Sequence, residues 1–353
     1  MSLGLSAFTM FARSEIKKDE TVVLFPGLGS VNADGGCLLE IAGWVFEKEK
    51  RPGVALGFRR FLGLNARSMT DAENKIFADR AGYFLIDAER GKRCTIAIGS
   101  NRYNLPASDR TGHFHGTVRL SGEEFASLTG GQGYPRRVAF SVVLPRGDDR
   151  AFHGEAIVLE PQGVSVISDV DDTIKISGVG SREELLRNTF VKAFAPVDGM
   201  ARVYQDWARR WDASFHYVSA SPSQLYPALA AFVVTNQFPA GTFHLRPFEW
   251  KRSFFSPGSD HVRQYKVGVI QKFLTTFPAR RFVLVGDAGE LDPEVYGEFA
   301  RRHPSQIAKI YIRVSENSDE VARHDKAFEG IPRSHWQLFT KAEEIDSGTA
   351  TKQ

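Results

Sequence analysis

A chain of 353 residues, 42% hydrophobic and 25% charged, is long enough for two domains and has the composition of an ordinary soluble protein. Its net charge of +3 is too small to argue for nucleic acid as a partner. Two cysteines, Cys37 and Cys94, lack zinc spacing and are too few for a disulfide framework, so they read as buried thiols, with a single bridge between them as the alternative. No apolar run approaches the roughly 20 residues of a membrane-spanning helix. The N-terminus lacks a basic region and a clear cleavage site, which makes a cytoplasmic location the expectation.

Residues 1–160 read as a β-rich N-terminal domain. Runs of β-branched and aromatic residues at 21–25, 37–46, 82–88, 94–98, 112–120, 137–144 and 152–159 are separated by turn signals. Gly27-Leu28-Gly29 and Gly35-Gly36 read as punctuation between them, and one helix is predicted over 71–80. The spacing suggests a β-sandwich. No catalytic cluster is visible here. His113 and His115 alternate along a strand and read as solvated or hydrogen-bonded, a two-histidine metal site being the sharper alternative.

The texture changes at Pro161-Gln162-Gly163, and residues 161–345 alternate strand and helix. That pattern implies a parallel sheet with helices on its faces. Val164–Ser168 is a short apolar strand. Ser181-Arg182-Glu183-Glu184 has the form of a capping box, with a helix running on to Phe194. Met200, Val203, Tyr204, Trp207 and Trp211 recur at helical spacing and read as core. A strand at 215–218 is followed by Ser221-Pro222, read as an N-cap and first helical residue. A helix at 262–277, a strand at 282–285, a helix opening at Asp292-Pro293 and a strand at 307–314 complete the series. In such sheets the functional site lies at the carboxyl ends of the strands.

Four pieces fall there. Asp169-Val170-Asp171-Asp172-Thr173 follows a buried strand directly. Carboxylates so placed can converge on a hard cation such as magnesium. One can attack phosphorus, and a second two positions on can act as acid and base. A calcium loop fails on Ile174 and Gly180, where glycine and glutamate are required. Ser219 ends the second strand with a hydroxyl suited to a phosphoryl oxygen. Lys266 lies on the long helix and can neutralise developing charge. Phe282 to Asp287 is again an apolar strand ending in acid, with Glu290 and Asp292 beyond it. Asp292 has a structural reading too, as the N-cap before Pro293.

Asp-x-Asp-x-Thr, then Ser, then Lys, then Gly-Asp-x-x-x-x-Asp resembles the haloacid dehalogenase superfamily. The resemblance implies an α/β doubly wound (haloacid-dehalogenase-like) catalytic domain, with Asp169 as nucleophile and Asp171 as general acid/base. It implies a magnesium site formed by Asp169, Asp287 and the backbone carbonyl of Asp171, while Asp292 and Glu290 stand, from their place after the strand, as candidates for an additional carboxylate. Dehalogenases lack the second Asp and transport ATPases carry Thr there, so Asp171 points to a phosphatase. Asp169-Val170-Asp171-Asp172-Thr173-Ile174-Lys175, Asn188-Thr189-Phe190, His216 to Tyr226, Gly241 to Arg246 and Gly286 to Glu294 are similar, more narrowly, to the actin-patch-associated phosphatidate phosphatase family. Ser223 stands where that family commonly has Trp, and Ala288 where it commonly has Ser. The family implies magnesium-dependent release of phosphate from phosphatidate, leaving diacylglycerol. Thr173, Lys175 and Arg246 are candidates for substrate binding.

Two further classes stay open on the sequence. One is the same chemistry on a soluble phosphomonoester or a nucleic-acid end. The other is a phospholipid-binding module without turnover. The stretch from Pro247 to Gly258 interleaves aromatics with Lys251 and Arg252, which suits peripheral contact with a membrane surface. A loop folded onto its own domain is the alternative reading.

Overall fold

The computed structural model describes residues 14–48, 52–64, 69–247, 260–315 and 321–345. Of the stretch from Pro247 to Gly258 read as a candidate for membrane contact, residues 248–258, including Lys251 and Arg252, lie outside them.

The first half supplies strands β1 (Glu20–Leu24), β2 (Gly27–Val31), β3 (Cys37–Glu47), β4 (Asp87–Ala88), β5 (Thr95–Ile98), β6 (Asn101–Asn104), β7 (His113–Leu120), β8 (Arg136–Val142) and β9 (His153–Leu159), with helices α1 (Pro52–Phe61), α2 (Asp71–Gly82) and α3 (Gly122–Thr129). Among the described residues these nine strands join one hydrogen-bonded network, ordered β1-β3-β2-β9-β8-β5-β6, with β4 and β7 also pairing with β3. Alternate residues of β3, Cys37, Leu39 and Ile41, enter a core shared with Phe114 and Val118 of β7 and Val138 and Phe140 of β8. Cys37 and Cys94 are buried free thiols, and burial pushes them up to about 11 and about 12.

Two local expectations change here. Gly27 and Gly29 are not turn residues but part of β2. A Cβ on Gly27 would meet the Glu40 carbonyl at 2.8 Å and Ala156 at 2.9 Å, so glycine serves close approach between strands. The strand expected at 82–88 is reduced to Asp87–Ala88, because the helix from Asp71 continues through Gly82.

The second half forms β10 (Val164–Ser168), α4 (Arg182–Phe190), α5 (Met200–Trp211), β11 (Ser214–Pro222), α6 (Tyr226–Thr235), β12 (Gly241–Arg246), α7 (Asp260–Thr276), β13 (Arg281–Asp287), α8 (Asp292–Arg302), β14 (Ile307–Arg313), α9 (Val321–Ala327) and β15 (Trp336–Phe339). The six strands are parallel throughout, in the order β12-β11-β10-β13-β14-β15. The chain starts at the centre, walks to one edge, returns, and walks to the other. The switch point therefore falls between β10 and β13, where a crevice opens at their carboxyl ends.

Both faces of this sheet are covered. Val166, Val283 and Val285 face a core with α4, α5 and α6, while Ile167, Phe282 and Leu284 face one with α7 and α8. On α5, Met200, Tyr204, Trp207 and Trp211 lie on one buried face. Each such large side chain contributes about 1.5–3 kcal/mol by leaving water. The first α-helix of this half stops at Phe190, short of the expected Phe194.

The halves are not independent in packing. Phe58 of α1 and Phe84 meet Phe190 edge-on at 5.7 and 5.4 Å. Leu28, Ile157 and Leu159 join the core under α7 and α8. Arg280, 1% exposed, ties down the passage from β9 to β10. It donates to the carbonyls of Glu160 (2.9 Å), Gln162 (2.6 Å) and Val164 (2.8 Å) and to Ser165 Oγ (3.1 Å).

Candidate active site

The buried run of β10 carries Asp169 to the switch point. Its backbone N–H still donates to the Val285 carbonyl of β13 at 2.8 Å, so the residue is fixed by the sheet. Its side chain is 1% exposed. Thr173 donates to Oδ2 at 3.1 Å, and Lys266 Nζ of α7 lies 2.9 Å from Oδ1. Thr173 thus holds the expected nucleophile from behind.

Lys266 also reaches Glu290 at 2.8 Å and Asp292 at 2.6 Å. Burial disfavours its charge, but Asp169, Asp292 and Glu290 outweigh burial and hold its pKa well above the usual value. Asp287, the last residue of β13, accepts from Gly289 N–H at 2.7 Å through Oδ2. Its Oδ1 is buried with no hydrogen-bond partner among the described residues. Burial first, then the neighbouring acids, push Asp169, Asp287 and Glu290 up from the carboxylate range. Asp169, Asp287 and Asp292 present oxygens all within 4.8 Å of one another. Four buried acids crowd around one lysine and leave an oxygen of Asp287 unsatisfied, and such clustered carboxylate oxygens are the donor type a hard divalent cation takes.

Asp292 is not the N-cap of α8. That position belongs to Leu291, without a side-chain bond, while the Asp292 carboxylate points back to Lys266 and to the Asp287 N–H at 3.3 Å. The cation and the turn have more to gain from it than the helix end does.

Asp171 is held differently. Lys175 Nζ lies 2.8 Å from Oδ1, and Ser177 donates to the same oxygen at 2.6 Å. Ser219 and Ser221 both donate to Oδ2 at 2.9 Å. Burial would raise this carboxyl, but Lys175 and the hydrogen bonds win, and its pKa lies well below the usual range. Asp171 is therefore ionised in this arrangement, and Lys175 is its counter-ion rather than a free substrate ligand.

Ser221 corrects a second expectation. It does not cap a helix. β11 continues through Pro222, which still pairs with Arg246 of β12 after a register shift, and α6 starts only at Tyr226, with Pro227 in its first turn. A 3-10 turn at Ser223–Leu225 follows Pro222 directly and runs into α6, so Pro222 marks the approach to the helix rather than its first residue. Ser177 escaped the sequence reading altogether, since nothing marks a lone serine in a loop. The loop itself is built by Asp172, which adopts φ +51°. Its carboxylate accepts from the N–H groups of Ser177 (2.7 Å), Gly178 (3.0 Å) and Val179 (2.7 Å). Arg246 stands at the end of β12 beside Pro222 and has no hydrogen bond to the acid cluster among the described residues.

These features define an α/β chain with a buried acidic centre at its switch point and a second, ionised aspartate beside it. Residues 164–314 match the family model described as phosphatidate phosphatase APP1, catalytic domain. The phosphatidate phosphatase APP1 of Saccharomyces cerevisiae is 38% identical over 172 residues, covering 48% of this chain and 29% of the yeast protein. An uncharacterized protein of Schizosaccharomyces pombe is 32% identical over 169 residues, covering 46% of this chain and 27% of its own. The chain thus spans less than a third of the length of these curated relatives. Among solved structures, the Pnkp1/Rnl/Hen1 complex aligns with 46% of this chain and 54% of its own at 13% identity and a TM-score of 0.30, a level that carries no argument.

Proposed function

We propose that this chain is a phosphoric monoester hydrolase of haloacid-dehalogenase type that releases phosphate from phosphatidate and leaves diacylglycerol. The observation that carries the reading is Asp169, buried at the switch point 2.9 Å from Lys266, within a segment that matches the phosphatidate phosphatase catalytic model. An Asp169 oxygen attacks phosphorus, and the bond from phosphorus to the glycerol oxygen breaks. Asp171 gives a proton to that oxygen, then takes one from the water that hydrolyses the aspartyl-phosphate. Since Asp171 is ionised in the free protein, it takes up a proton from solvent as the phosphoryl dianion draws Lys175 and Ser219 toward itself, and that proton leaves with the glycerol oxygen. Asp169, Asp287 and Asp292 would hold magnesium, with the backbone carbonyl of Asp171 added on family grounds. Bound there, the ion supplies charge neutralisation at the phosphoryl oxygens.

The test is phosphate release from dioleoyl phosphatidate in mixed micelles, with magnesium and with EDTA. Wild type is expected to turn over only with magnesium, and Asp169→Asn to fall by at least about a thousandfold. Equal rates for wild type and Asp169→Asn would remove the nucleophile from the scheme.

A further inference from the structure

One face of the N-terminal sheet points toward the catalytic half. On β7, His113, His115 and Thr117 alternate with the core residues Phe114 and Val118. Opposite them on β3 stand Trp44, Ala42 and Glu40. Facing this surface are α7 and β12, the edge strand of the parallel sheet, across a cleft of about 740 Å³. That is a small-molecule volume, within the range of roughly 300–1,000 Å³.

The walls are tied to each other. His113 lies between Phe25 and Trp44, stacked at 6.1 and 5.5 Å, and its Nε2 is 3.2 Å from Ser223 Oγ across the cleft. Phe25 meets Tyr226 edge-on at 4.9 Å, and Tyr226 meets Phe243 at 5.3 Å. Lys272 of α7 pairs with Glu40 of β3 across the gap. The slot is thus formed before any ligand arrives. Phe25, Leu28, Phe243 and Leu245 give it apolar walls, while His115 and Thr117 offer donors.

The cleft lies one strand away from the catalytic centre. Leu245 in its wall is the β12 partner of Ser219, whose hydroxyl holds Asp171. Neighbouring strands lie only about 4.8 Å apart. Ser223, also in the wall, is two residues beyond Ser221. Arg246 lies in sequence between two wall residues, Leu245 and Pro247, and pairs with Pro222 at the end of β11.

We propose that this cleft binds an acyl chain of the glycerolipid substrate. The inference rests on the function proposed above and adds a specificity site to it. An acyl ester is an unbranched apolar chain with an oxygen acceptor at one end. That matches a slot with apolar walls and a few donors, one strand from the acid centre. The N-terminal sheet then supplies half of the lipid site.

Thr117 is exposed on a strand, where tryptophan is well tolerated. Thr117→Trp narrows the cleft and Ala42→Trp fills it from the opposite strand. Both are expected to lower kcat/KM for dioleoyl phosphatidate about tenfold or more, the equivalent of some two methylenes kept out of an apolar site. Hydrolysis of p-nitrophenyl phosphate should stay near wild type. Equal losses on both substrates, or no loss on either, would overturn the proposal. Calorimetric binding of dioctanoylglycerol, which has no phosphate, separates the two readings. If wild type leaves phosphatidate untouched yet binds dioctanoylglycerol, and Thr117→Trp abolishes that binding, the substrate assignment falls and the cleft stands. If Thr117→Trp turns over phosphatidate at the wild-type rate, the cleft falls and the substrate assignment stands.

Discussion

Lys266 Nζ on α7 lies 2.9 Å from Asp169 Oδ1 at the end of β10, and both side chains are at most 2% exposed. Each charge is costly alone in that setting and tolerable only because the other is there. Removing the lysine leaves Asp169, Asp292 and Glu290 crowded with no counter-charge. Lys266→Met is therefore expected to cost about 3–5 kcal/mol of stability at neutral pH. Urea unfolding checks this. The loss should shrink toward pH 5, where the stranded acids pick up protons. An unchanged midpoint at pH 7 would show that the cluster is already neutral.

The acid cluster also predicts a thermal response to magnesium. Binding to the folded state alone adds about 2.7 kcal/mol when the ion is at a hundred times its dissociation constant. Wild type should melt several degrees higher with the ion, while Asp287→Asn should show little shift, because its Oδ1 is the oxygen left without a partner. Scanning fluorimetry with magnesium and with EDTA reads both.

Ser221 shares the Asp171 Oδ2 oxygen with Ser219, each at 2.9 Å. A hydrogen bond to a charged group contributes about 1.5–3 kcal/mol. Ser221→Ala should lower kcat about tenfold or more and the melting temperature by a few degrees, and Ser221→Thr should restore most of both. A Ser221→Ala enzyme at full rate would return Ser221 to a merely structural role.

A buried chain of polar groups sets the acid sensitivity of the fold. His216 bonds Ser165 at 3.1 Å and Thr242 at 2.8 Å, and Thr242 bonds His244 at 3.0 Å. Burial lowers His216 well below the usual value and brings His244, half-buried, to about 4. Between pH 6.5 and 4 the unfolded chain binds a proton at His244 that the folded chain refuses, so stability falls as pH falls through that window. At pH 5 the His244 share is on the order of 1 kcal/mol once its partial exposure is discounted. Wild type and His244→Gln should accordingly change their stability difference between pH 7 and pH 5. A constant difference would exclude His244 as a source.

What the sequence exposed was whatever physics makes local. Asp169 and Asp287 were legible because each ends a run of buried apolar residues, and a charge in that position has few structural excuses. Asp171 was legible with them, by spacing. The environment of Asp171 was not, because it is assembled from Lys175, Ser177, Ser219 and Ser221, which meet only when a loop closes on β11. Ser-Pro before an apolar run is a sound helix-start signal, yet β12 offers Pro222 a strand partner, and the chain makes a 3-10 turn at Ser223–Leu225 before α6 begins at Tyr226. Gly27 and Gly29 look like turn residues until Ala156 and Glu40 are seen to leave no room for a side chain. The cleft at His113 was beyond reach, since it depends on how two halves dock.

Arg280 puts two of its hydrogen bonds on the few residues joining β9 to β10 and a third on Val164, where β10 begins, while Leu28, Ile157 and Leu159 complete a core on the far side. A chain severed there would strand a guanidinium inside the protein and bare an oily patch at once. The joint is thus a poor place for recombination. Fusions or shuffled chimeras that exchange the N-terminal sheet for a foreign one should lose solubility before they lose chemistry, and successful swaps will be those that carry Gly27 to Leu159 across as one inherited piece.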